Sequence, residues 1–250
     1  GNGDGGTIST GGNPGGSGGT SGDGGSPSGG TGGGSGPPIS CTSGEDVVVI
    51  DSSATRNGSF EFPVSSALSK NAAVWTEMRI DYGEGEDPGP TTLAYNCPCE
   101  TLNWSEVDGQ ETPDHASAGT WSAWLGGLVD WDDWLSQELV LPSNASTLHA
   151  RMHTNIQSLE DSNSSLDSDL LMVRLVDGDG NELASFVTLS NRDGQFGVGN
   201  QAWTDDKVDE TIDVSTWAGQ TVYFEIRSTN DYGLATDFLI DDVRLTLGCE

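Results

Sequence analysis

Positive charge is nearly missing from this 250-residue chain: Lys70 and Lys207 are the only lysines, and nine Lys and Arg face 39 Asp and Glu for a formal charge of −30. Such a surface repels polyphosphate and anionic headgroups, which argues against nucleic acid and membrane surfaces as partners. Long apolar runs are missing too; none approaches the roughly 18 to 20 residues that a membrane-spanning helix takes. No segment keeps a sustained helical period. Histidine is limited to His115, His149 and His153. His149 and His153 lie four apart in a strand-like segment, on one face but about 13 Å apart by strand rise, too far to share a metal. No Ser/His/Asp or Cys/His set reads as an activated nucleophile, so hydrolase chemistry has no support. A carboxylate pair for glycoside hydrolysis could be drawn from any of the 39 acids and therefore says nothing.

Cysteine is scarce as well: Cys41, Cys97, Cys99 and Cys249. An even count suggests two disulfides with three possible connectivities. Cys41 and Cys249 bracket the folded part, and the first and last strands of a sandwich often lie side by side. That favours 41–249 with 97–99, or Cys41 with one of the middle pair, although a 97–99 ring would be small and strained. Cys-Pro-Cys lacks the spacer of a zinc knuckle.

Glycine, by contrast, is abundant and uneven: 19 of 36 fall in the first 40 positions, among Ser, Thr, Asn and Pro. That stretch cannot bury enough apolar surface to offset its ordering entropy, so residues 1–40 read as a disordered Gly/Ser-rich tether. It carries only Asp4 and Asp23, which leaves −28 of the −30 on residues 41–250, a length that fits one all-β domain. The chain starts at glycine, and the simplest expectation is an exported mature form. The tether resembles the segment behind the lipidated cysteine of bacterial lipoproteins, so a secreted or cell-surface location is expected.

Beyond Pro37-Pro38 come short apolar runs broken by turn residues. Strands are predicted over 46–50, 75–82, 121–125, 137–141, 147–154, 169–176, 182–189, 220–228 and 237–247, with 83–90 a loop. Asp177-Gly-Asp-Gly-Asn181 supplies the positive-φ positions of a hairpin turn and lacks the acidic positions of a calcium loop. Many short strands point to a sandwich or jelly roll. Unbroken alternation along the last strand would put Asp241 on the same, inward side as Val243, Leu245 and Leu247. An inward carboxylate needs a metal or several hydrogen-bond donors.

Five segments follow one another in order: Gly119-Thr-Trp-Ser-Ala-Trp-Leu-Gly-Gly127, Leu139-Val-Leu-Pro142, Asp169-Leu-Leu-Met-Val173, Val214-Ser-Thr-Trp-Ala-Gly-Gln-Thr-Val222 and Thr236-Asp-Phe-Leu-Ile-Asp-Asp-Val-Arg-Leu245. The series resembles the jelly-roll domains found with MAM modules and at the C-termini of immune-inhibitor-A-type peptidases. Asn57-Gly-Ser-Phe-Glu61 with Ile240-Asp-Asp-Val243 is similar to jelly-roll carbohydrate-binding modules of bacteria. The resemblance covers roughly residues 55–247 and implies an all-β jelly-roll β-sandwich of a binding or accessory class. It further implies a structural calcium held by Glu61 and Asp241, with backbone carbonyls and other carboxylates completing six to eight oxygens. Without a metal, Asp241 would instead cap backbone amides.

Eight tryptophans are many for this size. Trp75, Trp121, Trp124 and Trp217 are expected in the core. Trp131 and Trp134 sit in the acidic segment Val129-Asp-Trp-Asp-Asp-Trp-Leu135, where aromatic faces could stack on sugar rings while Asp132 and Asp133 accept hydroxyl hydrogen bonds; Trp104 and Trp203 are weaker candidates. The expectation is a non-catalytic extracellular module that binds a polysaccharide or cell-surface glycan and is braced by calcium. The competing expectation is a structural or adhesive protein that associates with copies of itself. Four Asn-x-Ser sequons, at Asn57, Asn103, Asn144 and Asn163, matter only where the source glycosylates them.

Overall fold

The computed structural model describes residues 39–61, 63–66, 69–72, 75–81, 117–118, 122–127, 129–160, 167–196 and 203–250. Within them the chain runs almost wholly as strands: β1 (Asp46–Ile50), β2 (Pro63–Ser66), β3 (Ser69–Ala72), β4 (Thr76–Asp81), β5 (Ala123–Gly126), β6 (Trp131–Val140), β7 (Ala145–Ser158), β8 (Leu170–Val176), β9 (Glu182–Ser190), β10 (Gln195–Phe196), β11 (Thr204–Asp213), β12 (Thr221–Asn230) and β13 (Thr236–Cys249). In one sheet β13 pairs with β7 along one edge. Along its other edge it takes β5 by its N-terminal half and β1 by its C-terminal half, while β11 and β10 lie beyond β7. The second sheet has the order β4-β6-β12-β8-β9. Every pairing in these two sheets is antiparallel except the two-residue ladder of β10 with β7. The result is the jelly-roll β-sandwich expected from the sequence, with β2 and β3 paired as a separate hairpin.

Period-two alternation builds the core. Leu135, Phe224, Ile226 and Val173 from the second sheet meet Leu148, Met152, Ile240 and Leu245 from the first, all buried. Each such side chain contributes about 1.5–3 kcal/mol on leaving water. Trp75 is a core residue as expected: it stacks on Phe60 with centroids 5.6 Å apart and donates its indole N–H to Asn57 O at 3.0 Å. The Gly58 backbone lies directly against β13. Val243 N donates to Gly58 O at 2.8 Å, and a Cβ at Gly58 would stand 2.0 Å from Val243 O, so only glycine fits.

The structure departs from the sequence expectations most consequentially in three places. The acidic Trp-Asp-Asp-Trp segment is no loop; it opens the ten-residue strand β6, which begins six residues before the predicted strand. The polar strand β11 was not anticipated at all. And alternation in β13 is broken: Asp241 pairs with His153 while Arg244 pairs with Arg151, so Asp242 and Val243 together oppose Met152. Asp242 takes φ +53° at this bulge. The extra residue reverses the faces. Val243, Leu245 and Leu247 belong to the core, whereas Asp241 shares the outer face with Leu239 and Asp237. Of the cysteines, Cys41 and Cys249 are bonded to each other, across 208 positions. Cys97, Cys99, residues 1–38, the predicted loop 83–90, Trp104, Trp121, His115, Asn103 and Asn163 lie outside the described residues.

Candidate functional site

The outer face of the second sheet gathers the chemistry. In β6 the core parity carries Leu135, Gln137 and Leu139, so Asp132, Trp134, Ser136 and Glu138 face outward. In β12, Val222, Phe224 and Ile226 go inward and Tyr223, Glu225, Arg227 and Thr229 outward. Register places Arg227 beside Trp134 on one side and Met172 on the other. Its guanidinium carbon stands 5.2 Å from the Trp134 ring centroid, a cation–π contact, while one terminal nitrogen donates to Asp132 Oδ2. Its Nε is buried and has no acceptor among the described residues.

Next along the face, Arg174 reaches Glu225 through Nε and Nη2 at 2.8 and 2.7 Å, and Glu182 at 3.5 Å. Tyr223 closes the row by donating to Glu138 Oε2 at 3.3 Å. Burial, then the Glu138 carboxylate, raise the Tyr223 pKa and keep the phenol protonated as a donor. Guanidinium–carboxylate pairs in a row beside a half-buried indole make a preorganised lattice, with an aromatic platform at one end and directional donors and acceptors along it.

The four residues singled out as ligand contacts are therefore split by the strand. Asp132 and Trp134 are on this face. Asp133 points between the sheets, is fully buried, and accepts Gly126 N at 2.9 Å, so it is withdrawn from any ligand on the outer face. Trp131 starts β6 on the Asp133 parity, half-buried and opposite Asn230. Arg227, Glu225, Arg174 and Tyr223 were missed. The alternation of Val222-Tyr-Phe-Glu-Ile-Arg-Ser228 carried the signal, since a polar face of Tyr, Glu and Arg on a central strand is costly unless its members pair.

At the bulge, Asp241 is fully buried under residues 117–118. Its Oδ2 accepts Ser117 N at 2.8 Å and Ala118 N at 3.0 Å, and Oδ1 accepts Asp242 N at 2.7 Å. Burial outweighs these bonds and pushes its pKa up to about 7. The Ser117 hydroxyl contacts His153 Nδ1 beside it. The motif containing Glu61 meets β13 through the Gly58–Val243 bond. Among the described residues, no group of three or more His, Cys, Asp or Glu is arranged to hold a metal ion. The Asp177 loop is the plain hairpin turn: the Asn181 side-chain amide donates to Asp177 Oδ2 at 3.0 Å, and Oδ1 accepts Asn181 N and Asp179 N at 2.9 Å, bonds that lower its pKa. His149 pairs with Asp209 at 2.5 Å rather than with His153. Trp124 is half-buried on the outer face and donates to Asp237 at 2.7 Å, not a core residue as expected. Asn57 is fully buried, which removes it as a glycosylation acceptor in the folded chain.

No protein-family model matches this chain, and none of the curated proteins does. Among solved structures it is similar to TmCBM61 in complex with beta-1,4-galactotriose, at 19% identity over 52% of this chain and 73% of that one, with a TM-score of 0.33. A cleaved adhesin domain of Lys-gingipain from Porphyromonas gingivalis is similar at 14% identity over 81% and 98%, with a TM-score of 0.39. The enzymatically active domain of tailspike protein 4 of bacteriophage CBA120 is similar at 13% over 80% and 22%, with a TM-score of 0.37. Likenesses of this degree imply nothing about ligand or activity.

Proposed function

We propose that this chain is a non-catalytic, extracellular module that binds glycan on the outer face of β4-β6-β12-β8-β9. The observation that carries the proposal is the Trp134–Arg227–Asp132 group: an indole platform beside a guanidinium whose Nε has no acceptor. A sugar ring stacked beside Trp134 would set its hydroxyls against the exposed part of the Arg227 side chain, and the Arg174–Glu225 pair offers further partners along the chain of sugars. Because both arginines are already neutralised by carboxylates, and the chain carries −30 overall, the expected ligand is a neutral glycan rather than a uronate or sulfate.

Affinity electrophoresis of the full chain against a panel of polysaccharides tests this. Retardation by a neutral glycan is expected, abolished by Trp134→Ala and largely kept by Trp131→Ala. Retardation that survives Trp134→Ala would move the site elsewhere. If no glycan retards the chain, self-association becomes the better reading. It is favoured by the apolar group Leu159, Tyr232 and Leu234, exposed by 50, 74 and 54% around one turn. Concentration-dependent sizing would then decide.

Calcium at Glu61 and Asp241 forms the second half of the proposal. Asp241 fits calcium only as a one-oxygen ligand, since Oδ2 already takes two amides and Oδ1 one. The support is its buried carboxyl, whose ionised form a cation would stabilise. Chelation with EDTA is expected to lower the melting temperature by about 5 °C, the shift that a ligand at a hundredfold excess over its Kd produces in a domain of this size. The effect should be absent in Glu61→Gln. An unchanged melt in EDTA removes calcium from this position.

A further inference from the structure

One end of the sandwich interior is polar instead of apolar. Asp133 on β6 stands directly across from Ser228 on β12, and Asn230, two residues on, shares the same inward parity. Asp133 and Ser228 are fully buried and Asn230 is 5% exposed. Two oxygens here have no partner among the described residues: Ser228 Oγ and Asn230 Oδ1. The Asn230 amide is oriented by its own bond, Nδ2 to Thr236 O at 2.8 Å, which identifies the lone atom as the oxygen. That oxygen lies 2.7 Å from where a Cβ of Gly126 would be, and Thr236 O lies 2.5 Å from the same point; Gly126 N in turn donates to Asp133 Oδ2. Gly126, at φ +77°, thus packs its backbone directly against these oxygens, where no side chain fits.

A second buried carboxyl adjoins them. Asp169 Oδ2 accepts the Thr236 hydroxyl, which also contacts Ser158 Oγ at 2.9 Å, and Asp169 Oδ1 accepts Asp231 N at 2.9 Å. The charged groups acting on Asp169 are themselves acids, Asp231 and Glu160. Among the described residues this end of the core therefore holds carboxylate, amide, hydroxyl and carbonyl oxygens without a His or Cys side chain, the donor set of a hard cation. A water molecule could satisfy the two lone oxygens, but it would leave the buried negative charge as it is.

We propose that Asp133, Ser228 and Asn230 form an internal site for a hard divalent cation of calcium's class, with Asp169 as a neighbouring counter-charge; the Thr236 carbonyl, which accepts Gly127 N and Asn230 Nδ2, anchors the Asn230 amide. The site is separate from Glu61 and Asp241 and from the outer glycan face. It would tie the start of β6 and the end of β12 to β13 and the β5–β6 turn.

The test uses the full chain stripped with EDTA, titrated with calcium in a calorimeter and with terbium by luminescence. Trp131, the cross-strand neighbour of Asn230, is placed to sensitise terbium. Binding is expected, with Asn230→Ala weakening it about 10-fold or more, in the range that even supporting residues around a metal command. Ser228→Ala, nearly isosteric and so expected to fold, should weaken it in the same direction. Trp131→Phe should dim the terbium signal at unchanged calcium affinity, and Glu61→Gln should leave this site untouched. No uptake of either ion would overturn the proposal. So would uptake unaffected by both Asn230→Ala and Ser228→Ala, which would leave a bridging water between the two oxygens.

Discussion

Replacing Cys41 and Cys249 together by serine is expected to lower the melting temperature by about 10 °C, the largest effect of any change outside the apolar core. The bond joins residues 208 positions apart and so constrains nearly the whole domain when it is unfolded. The chain-entropy estimate for a loop of that length is about 5 kcal/mol, and losses on removing native disulfides run at about 2–5 kcal/mol. The folded state places the bond where two terminal segments meet. β1 pairs with the end of β13, Gly44 N donates to Cys249 O at 2.8 Å, and Asn144 Nδ2 reaches Cys41 O and Glu250 O. Without the bond, β1 stays attached by a short ladder at a sheet edge and by the Arg56 guanidinium on Val48 O, and fraying there would expose Val49 and Ile50. The double variant keeps Cys97 and Cys99, so the comparison isolates this one bridge. A thermal melt followed by circular dichroism reads it; a shift under about 2 °C would mean that the sheet hydrogen bonds alone hold the termini, against the loop-closure argument.

Where a short β-branched run or a strong turn sequence marks an element, the sequence reading and the structure agree. The Asp46–Ile50 strand matches to the residue, and the hairpin of β8 and β9 around Asp177-Gly-Asp-Gly-Asn181 falls within a residue of its predicted limits. Bracketing by Cys41 and Cys249 was legible because a sandwich brings first and last strands together. Other features depend on what one strand's sequence cannot express. The bulge at Asp242 inverts the face of Asp241, and nothing in Ile240-Asp-Asp-Val243 distinguishes a bulged strand from a regular one. β11 reads Thr-Asp-Asp-Lys-Val-Asp-Glu-Thr-Ile-Asp: it sits at an edge, buries little besides Val208, and so carries no apolar period to detect. Trp131 to Trp134 looks like an acidic loop because the partners of its carboxylates lie outside the segment: Asp132 pairs with Arg227, and Asp133 accepts the Gly126 amide. The candidate glycan face and the internal oxygen cluster are both products of register between β6 and β12, strands separated by some 90 positions.

Stability in EDTA is expected to fall as the pH rises from about 5 to about 8, opposite to the trend of a protein held by depressed carboxylates. Burial raises the pKa of Asp241 to about 7 and of Asp169 to about 6, from an unfolded value of 3.8. Between the unfolded and folded values the native state holds protons that the unfolded chain has released. Unfolding is then accompanied by proton loss, and each unit of pH upward favours it. The full contribution is present below about pH 4 and is gone above about pH 7 for Asp241 and about pH 6 for Asp169. At 1.36 kcal/mol per unit the span is on the order of 4 kcal/mol for Asp241 and 3 kcal/mol for Asp169. Asp51, Asp177 and Asp213 have lowered pKa values and work the other way, but their stabilisation is lost only as the pH falls below the ordinary carboxylate range. Self-repulsion of the acidic surface would add to the trend at low salt, so the urea titrations belong in about 0.15 M salt, where exposed charges are screened beyond about 8 Å and buried groups much less. Asp169→Asn separates the causes: an amide can keep both bonds if the Thr236 hydroxyl reverses, accepting from the amide while donating to Ser158. That variant should be more stable than the parent at pH 8, by a smaller margin at pH 5, and about equal to it only below about pH 4, with a flatter profile throughout. A parent whose stability is level or rises from pH 5 to pH 8 would show that neither carboxyl is held protonated by the fold.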